Sequence, residues 1–221
     1  MKKGVFNLEK EALLASGIDG KNQLAEYKRK LDSLRRQFSH QIISTSNLVT
    51  KARTLFNWLW EEKPACYEPH GRYRLNGVID AQLSKDIQAV GNCLGLTLLY
   101  NSLLQRMGID TEALYIENAF GRGPHVLTIL QTEESLIDIE NIFSDGFDYK
   151  GHLNNPSRTR WGSRELVADI YHSVGNEVFE KGEWIEALKN YDRAIHLNPH
   201  YEKAYLNKVI LVDRMNKERK N

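Results

Sequence analysis

Gly91-Asn92-Cys93-Leu94-Gly95-Leu96-Thr97-Leu98-Leu99-Tyr100 is the stretch on which the fold turns. Continued to Met107, it reads as one helix. Leu94, Leu98, Leu99, Ser102, Leu103 and Met107 suit a buried face, and Gly108 is a good terminator. Cys93 holds the first position, behind Gly91 and Asn92. The opening turn of a helix has amide groups without intrahelical partners, and the helix dipole is positive there. A thiolate is an anion that such an end favours, and a glycine lets the backbone approach closely. This is the setting that a cysteine nucleophile needs.

Past Gly108 the periodicity changes. Thr111–Glu117, His125–Leu130 and Ser135–Ile139 are short and rich in β-formers, so they are expected to be strands. Gln131-Thr132-Glu133-Glu134 suits a hairpin turn between the last two. A nucleophile requires a base, and the base an orienting acceptor. His125 opens its strand directly after Gly123-Pro124, where its ring can face a cleft. Asp138 sits between apolar neighbours in Leu136-Ile137-Asp138-Ile139. A carboxylate there is costly unless paired, and a histidine across the hairpin is a natural partner. Glu140 repeats the same side of the strand and is the substitute candidate.

Working outward toward the N-terminus, Ser44–Glu62 is expected to be a helix. Its apolar stripe is Leu48, Ala52, Leu55, Phe56, Leu59 and Trp60, and Pro64 stops it. Earlier, Asn7 is placed to cap a short helix through Ser16, before a Gly17-Ile18-Asp19-Gly20 turn. Leu24, Tyr27, Leu31, Leu34 and Phe38 then repeat at three- and four-residue steps, one face of a further helix. Cys66–Tyr73, with Pro69 and Gly71, is expected to be loop, and Asn76–Leu83 a short helix. Toward the C-terminus, Ser144–Gly162 is rich in Gly, Asn, Asp and Ser and marks a boundary. The expected divisions are a helical segment 1–40, a core 41–150, a linker 151–165 and a helical unit 166–221. Helices, then adjacent strands, then helices again predict an α+β fold with a helical tail.

Composition bounds the function. Apolar residues make up 41 % of 221 residues, and 30 basic residues face 29 acidic ones. No basic stripe offers itself to nucleic acid. Two cysteines, Cys66 and Cys93, exclude a disulfide framework and a four-cysteine zinc site. No pair among Cys66, His70, Cys93 and His125 has a standard ligand spacing, so neither metal nor cofactor is expected. No apolar run suggests a leader or a membrane span, and a cytoplasmic protein with reduced thiols is expected.

These residues carry a resemblance. Gly91 to Tyr100, followed by Leu103-Leu104 and Met107-Gly108-Ile109, resembles the core helix of transglutaminase-like proteins. Pro124-His125-Val126-Leu127-Thr128-Ile129 resembles their histidine strand, and Leu136-Ile137-Asp138-Ile139-Glu140-Asn141 their aspartate strand. The order Cys, His, Asp, with separations of 32 and 13 positions, suits compact members. Glu9–Phe38 is similar to the N-terminal helices of bacterial SirB-type transglutaminase-like proteins, which end in tetratricopeptide units. Many of those lack a cysteine at the core helix start; this chain has one. Tyr171, Val174-Gly175, Val178, Gly182, Trp184, Ala187, Tyr191, Ala194, Leu197 and Pro199 resemble one tetratricopeptide repeat, with a third helix from about Tyr201 to Met215.

The resemblance implies a papain-like core helix packed on a small antiparallel sheet. Cys93 would be nucleophile, His125 general base and Asp138 orienter, in acyl transfer or in amide or peptide hydrolysis on a protein or peptide substrate. The Cys93 amide would serve the oxyanion, with Gln88 a side-chain candidate. Arg122, beside the base, is a candidate for a substrate carboxylate, and Trp60 for shielding the site. The rival expectation is a non-catalytic scaffold that holds a partner protein. A lone tetratricopeptide unit is expected to pack on the core or to pair with a second chain.

Overall fold

A computed structural model describes residues 6–41 and 47–218. Eight helices and four strands follow in the order α1 (Leu8–Ala15), α2 (Lys21–Ser39), α3 (Leu48–Glu62), α4 (Leu75–Leu83), α5 (Cys93–Arg106), β1 (Thr111–Ile116), β2 (His125–Gln131), β3 (Leu136–Ile139), β4 (Arg158–Trp161), α6 (Ser163–Glu180), α7 (Trp184–Leu197) and α8 (Glu202–Glu218). The architecture is α+β. The expected first turn of α3, at 44–46, lies outside the described residues. Caps follow the chemistry of short polar side chains: Asn7, Asn47 and Asn92 each accept from amides of the turn that follows.

The sheet is antiparallel throughout, in the order β3-β2-β1-β4. Its last strand falls inside 151–165, the stretch that the sequence marks as linker. Arg158-Thr159-Arg160-Trp161 has no apolar alternation, because only Trp161 of the four is buried. Trp161 stacks on Tyr115 of β1 at 4.1 Å between centroids, and this contact ties β4 to its neighbour.

Helix α5 is the axis of the core. Every residue from Leu94 to Leu104 is buried, which is the pattern of a helix enclosed on all sides rather than an amphipathic one. The sheet packs on it, and Tyr100 Oη donates to Ala52 O of α3 at 2.7 Å. A buried polar chain fastens helix to sheet. Thr128 Oγ1 donates to Asn101 Oδ1, and Asn141 Nδ2 donates to the hydroxyls of Thr97 and Thr128. Such a network is stabilising only when its members are all partnered, as these four are.

The outer helices close on this axis. Arg106, at the end of α5, grips the Glu9 carboxylate through Nε and Nη2 at 2.6 and 2.8 Å and also binds Asp32 of α2. Helices α6 and α7 form an antiparallel hairpin that α8 extends, and α1 packs on α6. The hairpin closes where a Cβ on Gly175 would lie 2.6 Å from the Tyr191 ring, so the tyrosine fills the space that a side chain would need.

Candidate active site

Cys93 is the first residue of α5 and is half-buried. Two close approaches set its position. Asn92 N donates to Arg72 O, and a Cβ on Gly95 would fall 2.3 Å from that same oxygen. The loop before α4 thus lies against the first turn of α5, and the glycine makes room for it. Asn92 Oδ1 accepts from Gly95 N at 3.0 Å. The amides of Cys93 and Leu94 take no acceptor among the described residues. They are two donors beside the sulfur, where an oxyanion would form.

His125 enters at the first position of β2 and is 6 % exposed. Its Nε2 lies 2.9 and 2.8 Å from the two carboxylate oxygens of Glu140. With that nitrogen on the carboxylate, Nδ1 is the nitrogen left for the sulfur. Burial works against the imidazolium, but interactions with Cys93 and Glu140 outweigh it and push the His125 pKa up to about 10. Burial likewise works against ionised Glu140, yet hydrogen bonds from His125 and His152 hold it below the usual carboxylate range. The imidazole is therefore protonated near neutrality, between two groups that favour its charge.

The carboxylate on His125 is that of Glu140, not of Asp138. Asp138 pairs in register with Ile129, four residues along β2 from His125. Its oxygens are taken by Arg158, at 2.7 Å from Nη1 and 3.2 Å from Nη2. Because the strands are antiparallel, Glu140 lies two residues nearer the histidine end. Asp138 therefore anchors β3 to β4, and Glu140, its substitute, faces His125.

Three further residues complete the site. His152 is buried, and its Nε2 donates to Glu140 Oε2 at 3.2 Å. Phe120 packs its ring against both imidazoles, with centroids at 5.6 Å from His125 and 4.7 Å from His152. It does so at φ +55, a conformation that a bulky residue adopts only where its surroundings impose it. Tyr67 is bridged to Gly91 in the loop over the helix start. Burial raises its phenol pKa, and the charges of Cys93 and Glu140 raise it further, so its hydroxyl stays protonated as a donor in the cleft that Cys93 also lines. Nothing in the sequence marked these three. His152 stands in a Gly- and Asn-rich loop, and neither aromatic belongs to a periodic face.

Cys93 and His125 open on a cleft of about 670 Å³ that is also lined by Tyr67, Phe120, Arg122 and Phe143. Arg122 is exposed at its rim. Gln88 is exposed and does not line the cleft, and Trp60 borders a separate small cavity with Phe56 and Cys66. His125, Glu140 and His152 also form a ligand-type group, their donor atoms within 4.8 Å of one another. Separations of 2.8 to 3.2 Å between imidazole nitrogen and carboxylate oxygen are hydrogen-bond lengths, with the acid accepting from two N–H groups. Cys66, the other thiol, is buried away from the cleft, and burial pushes its pKa up to about 12.

Comparison with known families matches residues 175–208 to a TPR repeat, which spans the end of α6, all of α7 and the start of α8. Comparison with curated proteins and with solved structures finds no match. Among the described residues no helix is long and apolar enough to cross a membrane.

Proposed function

We propose that this chain is a cysteine-dependent acyl-transfer enzyme of transglutaminase-like type, working through Cys93, His125 and Glu140. The observation that carries the reading is the buried His125–Glu140 pair, with Nε2 at 2.8 and 2.9 Å from the carboxylate, which shares an open cleft with Cys93. The Cys93 thiolate attacks a carbonyl carbon and forms the C–S bond. The oxyanion is met by the Cys93 and Leu94 amides and the Tyr67 hydroxyl. His125 gives its proton to the departing amine as the C–N bond breaks, leaving a thioester. Water or a second amine, deprotonated by His125, then displaces the sulfur. Glu140 holds the ring and favours its charged form, and His152 and Phe120 position both.

Two thiols make the test internal. Iodoacetamide at pH 6.5 is expected to modify Cys93 and leave Cys66 unmodified, as peptide mass mapping reads. His125→Ala should slow Cys93 labelling by about tenfold or more. Equal labelling of wild type and variant, at the rate of a free cysteine, overturns the enzyme reading.

A second reading has one observation of its own. Tyr205, Leu206, Val209 and Ile210 of α8 lie 45 to 65 % exposed at three- and four-residue spacing, an apolar face on the repeat unit. TPR repeats commonly mediate protein–protein interaction, and on this reading the chain is a scaffold that holds a partner protein or a second copy there. An inert Cys93 would leave this as the remaining account.

A further inference from the structure

The catalytic pair faces two openings. Besides the aromatic cleft, Cys93 and His125 line a groove of about 250 Å³ whose far wall is the C-terminal helical unit: Asp169, His172 and Ser173 of α6 just ahead of the matched repeat, then Asn176, Tyr201 and Lys203 within it. Cys93, His125, Pro69 and Pro124 belong to both. The reacting sulfur therefore sits at a saddle between an apolar chamber and a polar trough.

The trough wall is rigid and rich in spare donors. Asn207 Nδ2 donates to His172 Nε2 at 3.0 Å, His172 Nδ1 faces Tyr201 Oη at 3.1 Å, and Tyr201 Oη donates to Asp169 Oδ1 at 2.5 Å. This relay pins α8 to α6. Tyr201 also packs edge-on against the stacked Tyr115 and Trp161. Asn176 Oδ1 is used up by Tyr191 Oη and Asn207 Nδ2, which leaves the Asn176 amide N–H groups. They and the Ser173 hydroxyl have no hydrogen-bond partner among the described residues, and the Lys203 ammonium, 5.7 Å from the Tyr115 ring centroid, has no ion-pair partner among them. Free N–H and O–H groups in a trough suit a row of carbonyl oxygens; with Asp169 engaged by Tyr201, the unpaired ammonium of Lys203 at its end suits a carboxylate.

We infer that the substrate is an extended polypeptide laid across the saddle, with an apolar side chain in the Phe120–Phe143 chamber and an acidic segment against the α6–α8 trough. The TPR unit is then the specificity wall of the catalytic site. This rests on the acyl-transfer reading, and it explains why the repeat unit and the catalytic core share one groove.

A trans-epoxysuccinyl core, which alkylates a cysteine and can be extended from both carboxyl groups, tests it. One arm carries phenylalanine amide. The other carries a methylamide, a Gly-Ser-Glu tail or a Gly-Ser-Lys tail. The Glu-tailed probe is expected to modify Cys93 about tenfold faster than the methylamide. Lys203→Glu should invert the preference between Glu and Lys tails, and Ser173→Arg should bring the ratio of tailed to untailed rates to about one. Thermal melts confirm folding, and the Lys203 variant, with a half-exposed side chain, carries the test if the Ser173 variant unfolds. Equal rates for all three probes on wild type, or a tail preference that Lys203→Glu leaves unchanged, overturn the inference. Iodoacetamide separates the two claims. Rapid, His125-dependent labelling with no tail effect sinks the substrate alone, whereas free-cysteine reactivity sinks the enzyme reading with it.

Discussion

At the scale of single residues, the site depends on which carboxylate reaches His125. Glu140→Gln keeps the shape but removes the charge that stabilises the imidazolium. It is expected to lower turnover, or Cys93 alkylation at pH 6.5, by on the order of 10² or more, and to lower the melting temperature as well, because the buried imidazolium loses its counter-charge. Asp138→Ala should do the opposite. It strips a buried partner from Arg158, so its cost of about 3 kcal/mol belongs to unfolding, read by denaturant titration, while His125 keeps its acid. The sequence offered a candidate nucleophile, a candidate base and two acids as one group. It could not choose between the acids, because side-chain alternation puts Asp138 and Glu140 on the same side, and only the hairpin register separates them. Titration gives a second handle. His125 has a folded pKa raised from an ordinary 6.5 to about 10, so its stabilisation is full below pH 6.5 and is lost as pH rises toward 10. Glu140 is lowered from 4.5, so its share is present above that value and fades in acid. Urea midpoints should therefore fall between pH 6.5 and 10 more steeply in wild type than in His125→Gln. Parallel curves would show that the ring is not so held.

At the scale of elements, close approach decides more than propensity does. Ala is a better helix former than Gly by about 1 kcal/mol. Gly175→Ala in α6 should nevertheless destabilise, by about 1–3 kcal/mol in chemical denaturation, because its methyl would meet the Tyr191 ring at 2.6 Å. A stabilised variant would mean that the hairpin has slack. The helices and the first three strands were legible because each repeats its apolar residues at its own period. Observed ends differ from expected ones by a few residues, as at Leu75 for Asn76, Arg106 for Met107 and Glu218 for Met215. Strand β4 was not legible. Four residues with two arginines and a threonine between Pro156 and Gly162 look like loop, and only the exposed edge of β1, which no local pattern reveals, makes them a strand. Trp58 escaped the apolar stripe read for α3 yet is buried against Phe38, a contact that only the α2–α3 packing creates.

At the scale of the whole molecule, the parts divided by composition are joined by structure. The sheet is completed by β4, α6 packs on α1, and Tyr73 Oη donates to Glu177 Oε2 at 2.7 Å, with Arg74 on the same carboxylate at 2.9 Å. A chain cut after residue 155 should therefore be poorly soluble and lack a cooperative melt, although it retains Cys93, His125, Glu140 and His152. A soluble fragment with a sharp transition would show that the core is self-sufficient. The position of β4 also sets an order of events during synthesis. A ribosome delivers the sulfur, the imidazole and both acids before the strand that closes the sheet has left the exit tunnel. Until then the outer edge of Ala113–Ile116 is a bare row of backbone donors and acceptors, open to any passing strand. The half that carries Cys93 and His125 completes its sheet only when the C-terminal third has emerged.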